Sequence, residues 1–337
     1  MPTIWFCLVA IMIAAYVVLD GFDLGAGILY LAVAKTDDER RAVLASIGPV
    51  WDGNEVWLLA GGGTLYFAFP ALYAAGFSGF YLPLMMVLWL LILRGIAIEF
   101  RNHLHSDVWE PFWDVVFCGA SCLLAIFFGT ALGNVVRGVP LDSSGYFFLP
   151  LWTDFSAGRD AGILDWYTVL IGIGAFLTLA EHGGLWVALK TEGAVETRAR
   201  SAAARLWWAV VVVVIGITIV SFAVQPHLGA SFRERPWGFI FPLLALAGLI
   251  AMKSRNALRA FLGSCFYIIG MLSSVVFGVY PYVLPCNTDP ALSLTVQNAA
   301  APPYGLAIGL IWFIPGMALA ISYFTYTYRS FGGKVRA

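Results

Sequence analysis

Two aspartates lie within the first long apolar stretch of the chain, in the segment from Asp20 to Gly25. A carboxylate near the centre of a bilayer costs about 2.5 to 3.5 kcal/mol on insertion scales, so such groups are candidate functional residues. Asp20 and Asp23 are three residues apart and share one helix face. Gly21 and Gly25 would let a neighbouring helix approach closely and surround them with protein. The pattern indicates a proton relay or ion site, or else carboxylates hydrogen-bonded between helices, which is the favoured interpretation for Asp23.

A second acidic cluster stands at the start of the next apolar stretch, in the sequence WDGNEVW from Trp51 to Trp57. Asp52 is placed to cap a helix and to complement its positive N-terminal dipole. Capping requires neither Asn54 nor Glu55, so the cluster favours a second interpretation, in which Asp52 and Glu55 collect protons at the membrane surface. Three glycines follow, Gly61 to Gly63, and indicate either close helix contact or a broken helix.

An arginine and a glutamate close the third apolar stretch, in the sequence RGIAIEFR that begins at Arg94 and contains Glu99. An arginine at such a position commonly extends its charged end to the membrane surface. An ion pair of Arg94 with Asp52 or Asp23 is the specific alternative.

The four histidines bear on whether the chain ligates a cofactor. His182 lies beside Glu181 within an apolar stretch, where a lone histidine is more often a hydrogen-bonded packing residue than a ligand. His103 and His105 fall in a polar loop, and His227 falls near the end of a helix. Haem between helices needs inward-facing axial ligands, so this set predicts no haem with two histidine ligands in the membrane part of the chain.

The composition identifies the elements that position these residues. Of the 337 residues, 61% are hydrophobic and only 12% are charged, against about 25% charged in soluble proteins. Long apolar stretches recur throughout, which predicts a polytopic, all-α membrane protein. The apolar composition excludes a nucleic-acid-binding protein, while the net charge of −1 says nothing about a charged partner. Four of the five cysteines lie in apolar stretches, so no disulfide scaffold is predicted.

Nine membrane-spanning helices are predicted from the apolar stretches and the breaks between them. A single helix cannot cover Val56 to Leu93, and the Pro and Gly residues of Pro70 to Gly79 predict a turn between two spans. The predicted spans are Ile4–Ala34, Val56–Ala75, Gly79–Ile98, Val115–Val136, Trp166–Leu189, Leu206–Val224, Trp237–Met252, Phe261–Leu284 and Tyr304–Tyr328.

The basic residues predict how the spans are oriented, because cytoplasmic loops hold an excess of Lys and Arg. With nine spans, all of the 19 Lys and Arg residues fall on one side except four: Arg137, Arg159, Arg233 and Arg235. The N-terminus is then outside and the C-terminus in the cytoplasm. Omitting the seventh span would weaken this asymmetry.

Four motifs in the first half of the chain follow one another in a recognisable order. They are DGFDLGAGIL (Asp20–Leu29), WDGNEVWLL (Trp51–Leu59), PALYAAGFSGFY (Pro70–Tyr81) and GNVVRGVP (Gly133–Pro140). Together they resemble subunit II of the cytochrome bd-type quinol oxidases, including the cyanide-insensitive bd-like oxidases. The second half resembles that family mainly in its series of helices and its short basic loops.

The resemblance implies a terminal respiratory oxidase of the bacterial inner membrane, which oxidises quinol, reduces dioxygen to water and draws protons from the cytoplasm. It implies haems b and d, or b only, in a partner, subunit I, and none bound by this chain. It also implies two four-helix bundles plus a peripheral helix within one integral membrane domain, residues 1–337. The first bundle would cover about 1–137, and the second bundle with the peripheral helix about 162–330.

The resemblance further implies roles for single residues and for partners. Asp52 matches an aspartate linked to a proton path toward the haems of subunit I, whereas Asp23 and Arg94 match positions that support structure or the haem site. The proton-transfer candidates are therefore Asp52, Asp20, Asp23 and Glu55, and the ion-pair candidates are Arg94 and Glu99. No metal ligand is expected, and the resemblance leaves room for small single-helix accessory subunits, membrane lipid and a structural quinone.

Two other hypotheses are compatible with the sequence. In a proton-coupled secondary transporter, Asp20, Asp23, Glu181 and a helix break at Gly61 to Gly63 would form a substrate site near the bilayer midplane. In a purely structural subunit, the chain would only stabilise a haem-bearing partner, and neutralising Asp52 would leave turnover intact.

Overall fold

The computed structural model describes residues 1–335, and most of these residues form helices. A short antiparallel pair of strands, β1 (Tyr282–Leu284) and β2 (Leu294–Thr295), lies in the loop before the last helix. The helices of the described chain are α1 (Pro2–Val33), α2 (Asp37–Ile47), α3 (Trp51–Ala68), α4 (Pro70–Gly79), α5 (Tyr81–Phe100), α6 (Trp109–Arg137), α7 (Trp166–Lys190), α8 (Gly193–Val224), α9 (Pro226–Glu234), α10 (Ile240–Ala251), α11 (Ala257–Val279) and α12 (Pro303–Ser330).

The class of polytopic helical membrane protein is confirmed. Seven helices of the described chain, α1, α5, α6, α7, α8, α11 and α12, are long and apolar enough to cross a membrane. The segments Pro226–Glu234 and Pro236–Ala251 meet at a bend of 109° and raise the number to eight if they form one span. Nine spans are therefore not confirmed, since α3 has only 18 residues and includes Asp52, Asn54 and Glu55. The division into two bundles stays a prediction.

The segment between α3 and α5 differs from the predicted turn. Residues Pro70 to Gly79 form the ten-residue helix α4, because proline fits the first position of a helix, where no backbone N–H donor is needed. The break between α3 and α4 lies at Phe69. Helix α3 runs without interruption through Gly61, Gly62 and Gly63, so the predicted helix break there is wrong. Gly61 lies against Met12 and Ile13 of α1, whereas Gly62 and Gly63 face open space.

Helices α1 and α7 approach each other through glycine. A side chain on Gly25 would collide with the backbone of Leu179 and Gly183, and a side chain on Gly183 would collide with the backbone of Gly25 and Ala26. This confirms the close helix approach predicted from Gly21 and Gly25. The contact surrounds the polar residues of α1 with protein rather than lipid.

A buried apolar core continues from this contact toward α11. The ring of Phe22 stacks on Trp186 with centroids 4.0 Å apart, and it also contacts Phe261 edge-on. Apolar side chains from α1, α2, α6, α7, α8, α10 and α11 extend the same core. These helices therefore hold α1 in a fixed position along most of its second half.

Basic side chains from distant parts of the sequence gather at one end of the helices. Lys190 Nζ donates to the carbonyl of Phe331, Arg198 Nε donates to the carbonyl of Val33, and Arg200 Nη1 donates to the carbonyl of Arg255. We call this end, defined by Lys190, Arg198 and Arg200, the basic end. Arg336, which the sequence places on the same side, lies outside the described residues.

Candidate proton-handling site

Asp20 and Arg94 form a fully buried ion pair between α1 and α5. Arg94 Nη1 donates to Asp20 Oδ2 at 3.1 Å, and Arg94 Nη2 donates to Asp20 Oδ1 at 2.5 Å. A two-pronged contact of this kind fixes both the distance and the orientation of the two groups. The predicted partners of Arg94, Asp52 and Asp23, are both wrong, and so is the expectation that its charged end reaches the surface.

Glu55 adds a second carboxylate to the same guanidinium. Its Oε2 atom lies 3.8 Å from Arg94 Nη1. The side chain of Glu55 is 24% exposed, whereas that of Arg94 is fully buried. We call Asp20, Glu55 and Arg94 the Arg94 cluster. The cluster joins α1, α3 and α5, and Glu55 is its most solvent-accessible member.

Asp23 belongs to a neighbouring hydrogen-bonded chain. Asn54 Nδ2 donates to Asp23 Oδ2 at 2.8 Å and to the Leu19 carbonyl at 3.2 Å. Tyr328 of α12 donates to Asn54 Oδ1 at 2.8 Å. Asp23 is thus a carboxylate hydrogen-bonded between helices, as predicted, although its buried Oδ1 atom has no partner in the described chain.

Asp52 lies in the first turn of α3 and is exposed. The predicted capping role is wrong, because Val50 is the N-cap residue and no side chain caps this helix. Asp52 still carries negative charge at the positive end of the helix dipole. Glu55 follows Asp52 by three residues and lies on the same side of α3. Asp52 is therefore nearer the surface, and Glu55 lies between it and the buried Arg94.

Glu99 does not join the Arg94 cluster. It is exposed near the end of α5, and its backbone carbonyl lies 2.9 Å from His103 Nδ1. The structure therefore separates the two predicted ion-pair residues.

His182 and Glu181 face different surroundings. Both ring nitrogens of His182 are engaged, Nδ1 with Ser264 Oγ at 2.7 Å and Nε2 with the Val18 carbonyl at 2.9 Å. The imidazole also stacks on Phe261, as a packing residue would. In the described chain, no hydrogen bond or ion pair joins Glu181 to Asp20 or Asp23, so the site predicted for a transporter is not assembled.

A further ionic network at the basic end was not predicted. Arg101 Nε donates to Asp114 Oδ1 at 2.6 Å, and Arg101 Nη2 donates to Asp37 Oδ1 at 2.6 Å. Asp114 also accepts from Arg40 at 2.8 Å and from the Tyr30 hydroxyl at 2.7 Å. The network fastens α2 to the ends of α1, α5 and α6. Asp114, directly before the predicted span Val115–Val136, was the sequence signal for it.

Asp37 gives this network a pH dependence. The hydrogen bond from Arg101 holds the pKa of the Asp37 carboxyl below its usual value. Because the folded pKa lies below the unfolded value of about 3.9, the carboxylate stabilises the fold above that pH, and its contribution is lost as the pH falls through the folded pKa.

Asp37→Asn is expected to lower the midpoint temperature of unfolding by a few degrees at neutral pH, with a difference that shrinks below about pH 4. Asp38→Asn, in the exposed position next to it, is the matched control, and equal effects of the two variants would contradict the prediction.

The motif GNVVRGVP has a structural explanation at the opposite end of the helices. Arg137 forms a buried ion pair with Asp165 and donates to the Gly162 carbonyl at 3.0 Å. Asn134 donates to the Ile163 carbonyl at 3.0 Å. Asp165 in turn caps α7 by accepting from the backbone of Tyr167 and Thr168. The motif thus attaches the loop before α7 to the end of α6.

The sequence is similar to that of oxidase subunits of one family. The family model described as cytochrome bd terminal oxidase subunit II matches residues 1–331. A probable cytochrome oxidase subunit 2 from Haemophilus influenzae is 31% identical, over 99% of this chain and 95% of that protein. The cytochrome bd ubiquinol oxidase subunit 2 of Bacillus subtilis is 29% identical, over 98% of this chain and 96% of its own length.

The fold also matches a solved structure. The bd oxidase from Geobacillus thermodenitrificans superposes with a TM-score of 0.71 and 18% identity, and the match covers 98% of each chain. At 18% sequence identity the match supports a similar fold and no more.

Proposed function

Because the chain belongs to the cytochrome bd terminal oxidase subunit II family, whose members are membrane subunits of respiratory oxidoreductases, we propose that it is the subunit without haem of a bd-type quinol oxidase. The complex would oxidise quinol and reduce dioxygen to water in the bacterial inner membrane. In this proposal the N-terminus lies outside, and the basic end, with the C-terminus, faces the cytoplasm, as the Lys and Arg distribution favours.

The histidines support the placement of the haems, b and d or b only, in the partner subunit I. Iron needs an imidazole nitrogen that is not engaged elsewhere. His182, on a membrane-spanning helix, uses both nitrogens in hydrogen bonds, and His227 Nε2 lies 3.1 Å from the Tyr280 carbonyl. His103 and His105 follow α5 in an exposed loop. The histidines of the described chain therefore support a subunit that binds no haem between its own helices.

The observation that carries the proposed proton function is the order of the acidic groups from the surface inward. Asp52 is exposed at the start of α3, Glu55 is partly buried, and Asp20 is fully buried in its ion pair with Arg94. A carboxylate at the membrane surface takes protons from water and passes them to an acceptor close by. Arg94 keeps Glu55 and Asp20 at a fixed position through its positive charge. We infer that protons reach the complex from the cytoplasm through Asp52 and Glu55.

The open face of α3 and α5 supports a membrane-embedded partner. A carbon added at Gly62 or Gly63 would meet nothing within 4 Å in the described chain, and Leu59 and Trp89 are more than half exposed. An apolar face of this kind is covered by lipid or by another membrane subunit. Subunit I is the proposed occupant, and small accessory subunits or a structural quinone would have to bind elsewhere on the complex.

Asp52→Asn is expected to slow quinol-driven oxygen consumption about tenfold, equivalent to about 1.4 kcal/mol in the barrier, while haem content stays normal. The amide cannot take up and release a proton, so proton supply would become limiting. Oxygen consumption by the purified complex, normalised to haem, is the measurement. Asp107→Asn, which removes the same charge from an exposed loop at the basic end, is the control. Unchanged turnover of Asp52→Asn would favour the purely structural subunit instead.

The oxidase assignment itself is tested separately. The complex is isolated gently from native membranes through a tag on this chain, and its reduced-minus-oxidised optical spectrum is recorded. Haem b bands, with or without haem d, together with a second large membrane subunit are expected. An intact preparation without haem would contradict the proposal and favour the transporter.

A further inference from the structure

A cavity of about 240 Å³ opens at the basic end between α7, α8 and the start of α11. Its inner wall is mostly apolar, and three basic residues, Arg200, Lys253 and Arg255, lie around its mouth. A site that holds one water needs only about 10 to 15 Å³ of such space, so the cavity has room for a group of waters. The residues of the Arg94 cluster do not line it.

Glu181 is the acidic residue of the cavity wall. It shares one face of α7 with Leu185 and Ala188, which also line the cavity, at spacings of four and seven residues. The residue is only 1% exposed, and its Oε2 atom is buried without a hydrogen-bond partner in the described chain. A buried carboxyl group that lacks a protein partner needs water or a bound proton to offset its desolvation.

The charged and titratable groups around Glu181 are occupied by other contacts. On α8, Arg200 donates to the Arg255 carbonyl at 3.1 Å and to Glu196 at 3.3 Å. On the segment before α11, Lys253 Nζ lies 4.1 Å from the centre of the Trp207 ring. Arg255 is exposed, so its charge is solvated at the mouth.

Two further titratable groups lie on the helices that flank Glu181. Tyr267 of α11 is buried, and His182, the next residue on α7, is turned to Val18 and Ser264. No basic side chain of the described residues forms an ion pair with Glu181. The molecules in the cavity are therefore the partners available for exchange of its proton.

We propose that Glu181 and the water of this cavity form a second proton-exchange site, separate from Asp52 and the Arg94 cluster. The neutral carboxyl group gives its O–H proton to a cavity water, which passes it through hydrogen-bonded water to the basic end, and the carboxylate takes a proton back by the same route. The positive charges at the mouth stabilise the carboxylate for the time that it is ionised. The site does not depend on the proposed oxidase function.

Infrared spectroscopy of the intact complex tests the proposal. The difference spectrum between wild type and Glu181→Gln, at neutral pH, is expected to contain the carbonyl band of one protonated carboxyl group. In D₂O this band is expected to move to lower wavenumber, since the exchangeable proton becomes a deuteron. The absence of such a band, or a band that stays in place in D₂O, would overturn the proposal. Neither readout requires oxidase turnover.

Two measurements keep the test decisive if Glu181→Gln does not assemble. An apolar carbodiimide reacts with protonated carboxyl groups, so the wild-type peptide that contains Glu181 is expected to carry the adduct in mass spectrometry. Ala204→Leu, at an exposed position of the cavity wall, is expected to slow the labelling severalfold. Ser201→Leu, an exposed position of α8 outside the wall, is the matched control and should label at the wild-type rate. An unlabelled wild type, or equal rates in the two variants, would overturn the proposal.

Discussion

Arg94→Leu is expected to remove most of the correctly folded protein from the membrane. The variant leaves the Asp20 carboxylate fully buried without its two hydrogen bonds, and it removes the positive charge 3.8 Å from Glu55. Loss of one partner of a buried ion pair costs about 3 to 5 kcal/mol, a large part of the 5 to 15 kcal/mol that holds an average protein folded. The yield of monodisperse protein after solubilisation and the midpoint temperature of unfolding are the measurements.

A second variant separates the loss of the pair from the loss of the arginine itself. In Asp20→Asn/Arg94→Leu no uncompensated charge remains at Asp20, so a large part of the yield and of the midpoint temperature should return. Arg94→Leu protein with wild-type yield and stability would show that the pair does not support the fold. A double variant as unstable as Arg94→Leu would show that the arginine acts through other contacts.

Gly183→Leu is expected to have the second large effect, on the packing of α1 against α7. The new side chain would meet the backbone of Gly25 and Ala26, which cannot move aside as a flexible side chain can. Overpacking costs about 1 to 3 kcal/mol even where side chains adjust, so separation of two helix backbones should cost at least as much. The midpoint temperature of unfolding should fall by several degrees, and the fraction of aggregated protein should rise.

Gly216→Leu on α8 is the matched control for Gly183→Leu, because it makes the same substitution in a membrane helix. At Gly216 no other part of the chain, as far as residue 335, lies within 4 Å of the added carbon. Its stability should equal or slightly exceed that of wild type, since leucine has a higher helix propensity than glycine. Similar losses in the two variants would show that the glycine contact of α1 and α7 is not specific.

The membrane class and the buried position of Asp20 could be predicted from local sequence, because both depend on apolar runs and on spacing within one helix. The partner of Asp20 could not. Arg94 is 74 residues away, and which faces of α1 and α5 meet depends on how all the helices pack. The same limit applies to Arg101 and Asp114, on different helical segments that meet only in the folded chain.

Predictions from local sequence were also wrong where the composition of a segment is compatible with both a helix and a turn or break. Pro and Gly in Pro70 to Gly79 are typical of a turn, yet the segment forms α4, since its other residues are compatible with a helix. Gly61 to Gly63 were compatible with a close helix contact or with a broken helix, and α3 is continuous there, with Gly61 against α1. In both places a continuous helix satisfies the internal backbone N–H and C=O groups.

The hydrogen bond from Tyr328 to Asn54 has a consequence for biosynthesis. In helix α12, Leu306 is fully buried, and the other side chains are half-buried or exposed. Among the polar contacts that join α12 to the other helices are the bond from Trp5 Nε1 to the Leu306 carbonyl and the bond from Tyr328. Since the ribosome makes the N-terminal helices first, Asn54 holds Asp23 before its own carbonyl oxygen receives a donor. The hydrogen-bonded chain from Asp23 through Asn54 to Tyr328 is therefore complete only after α12 has been inserted.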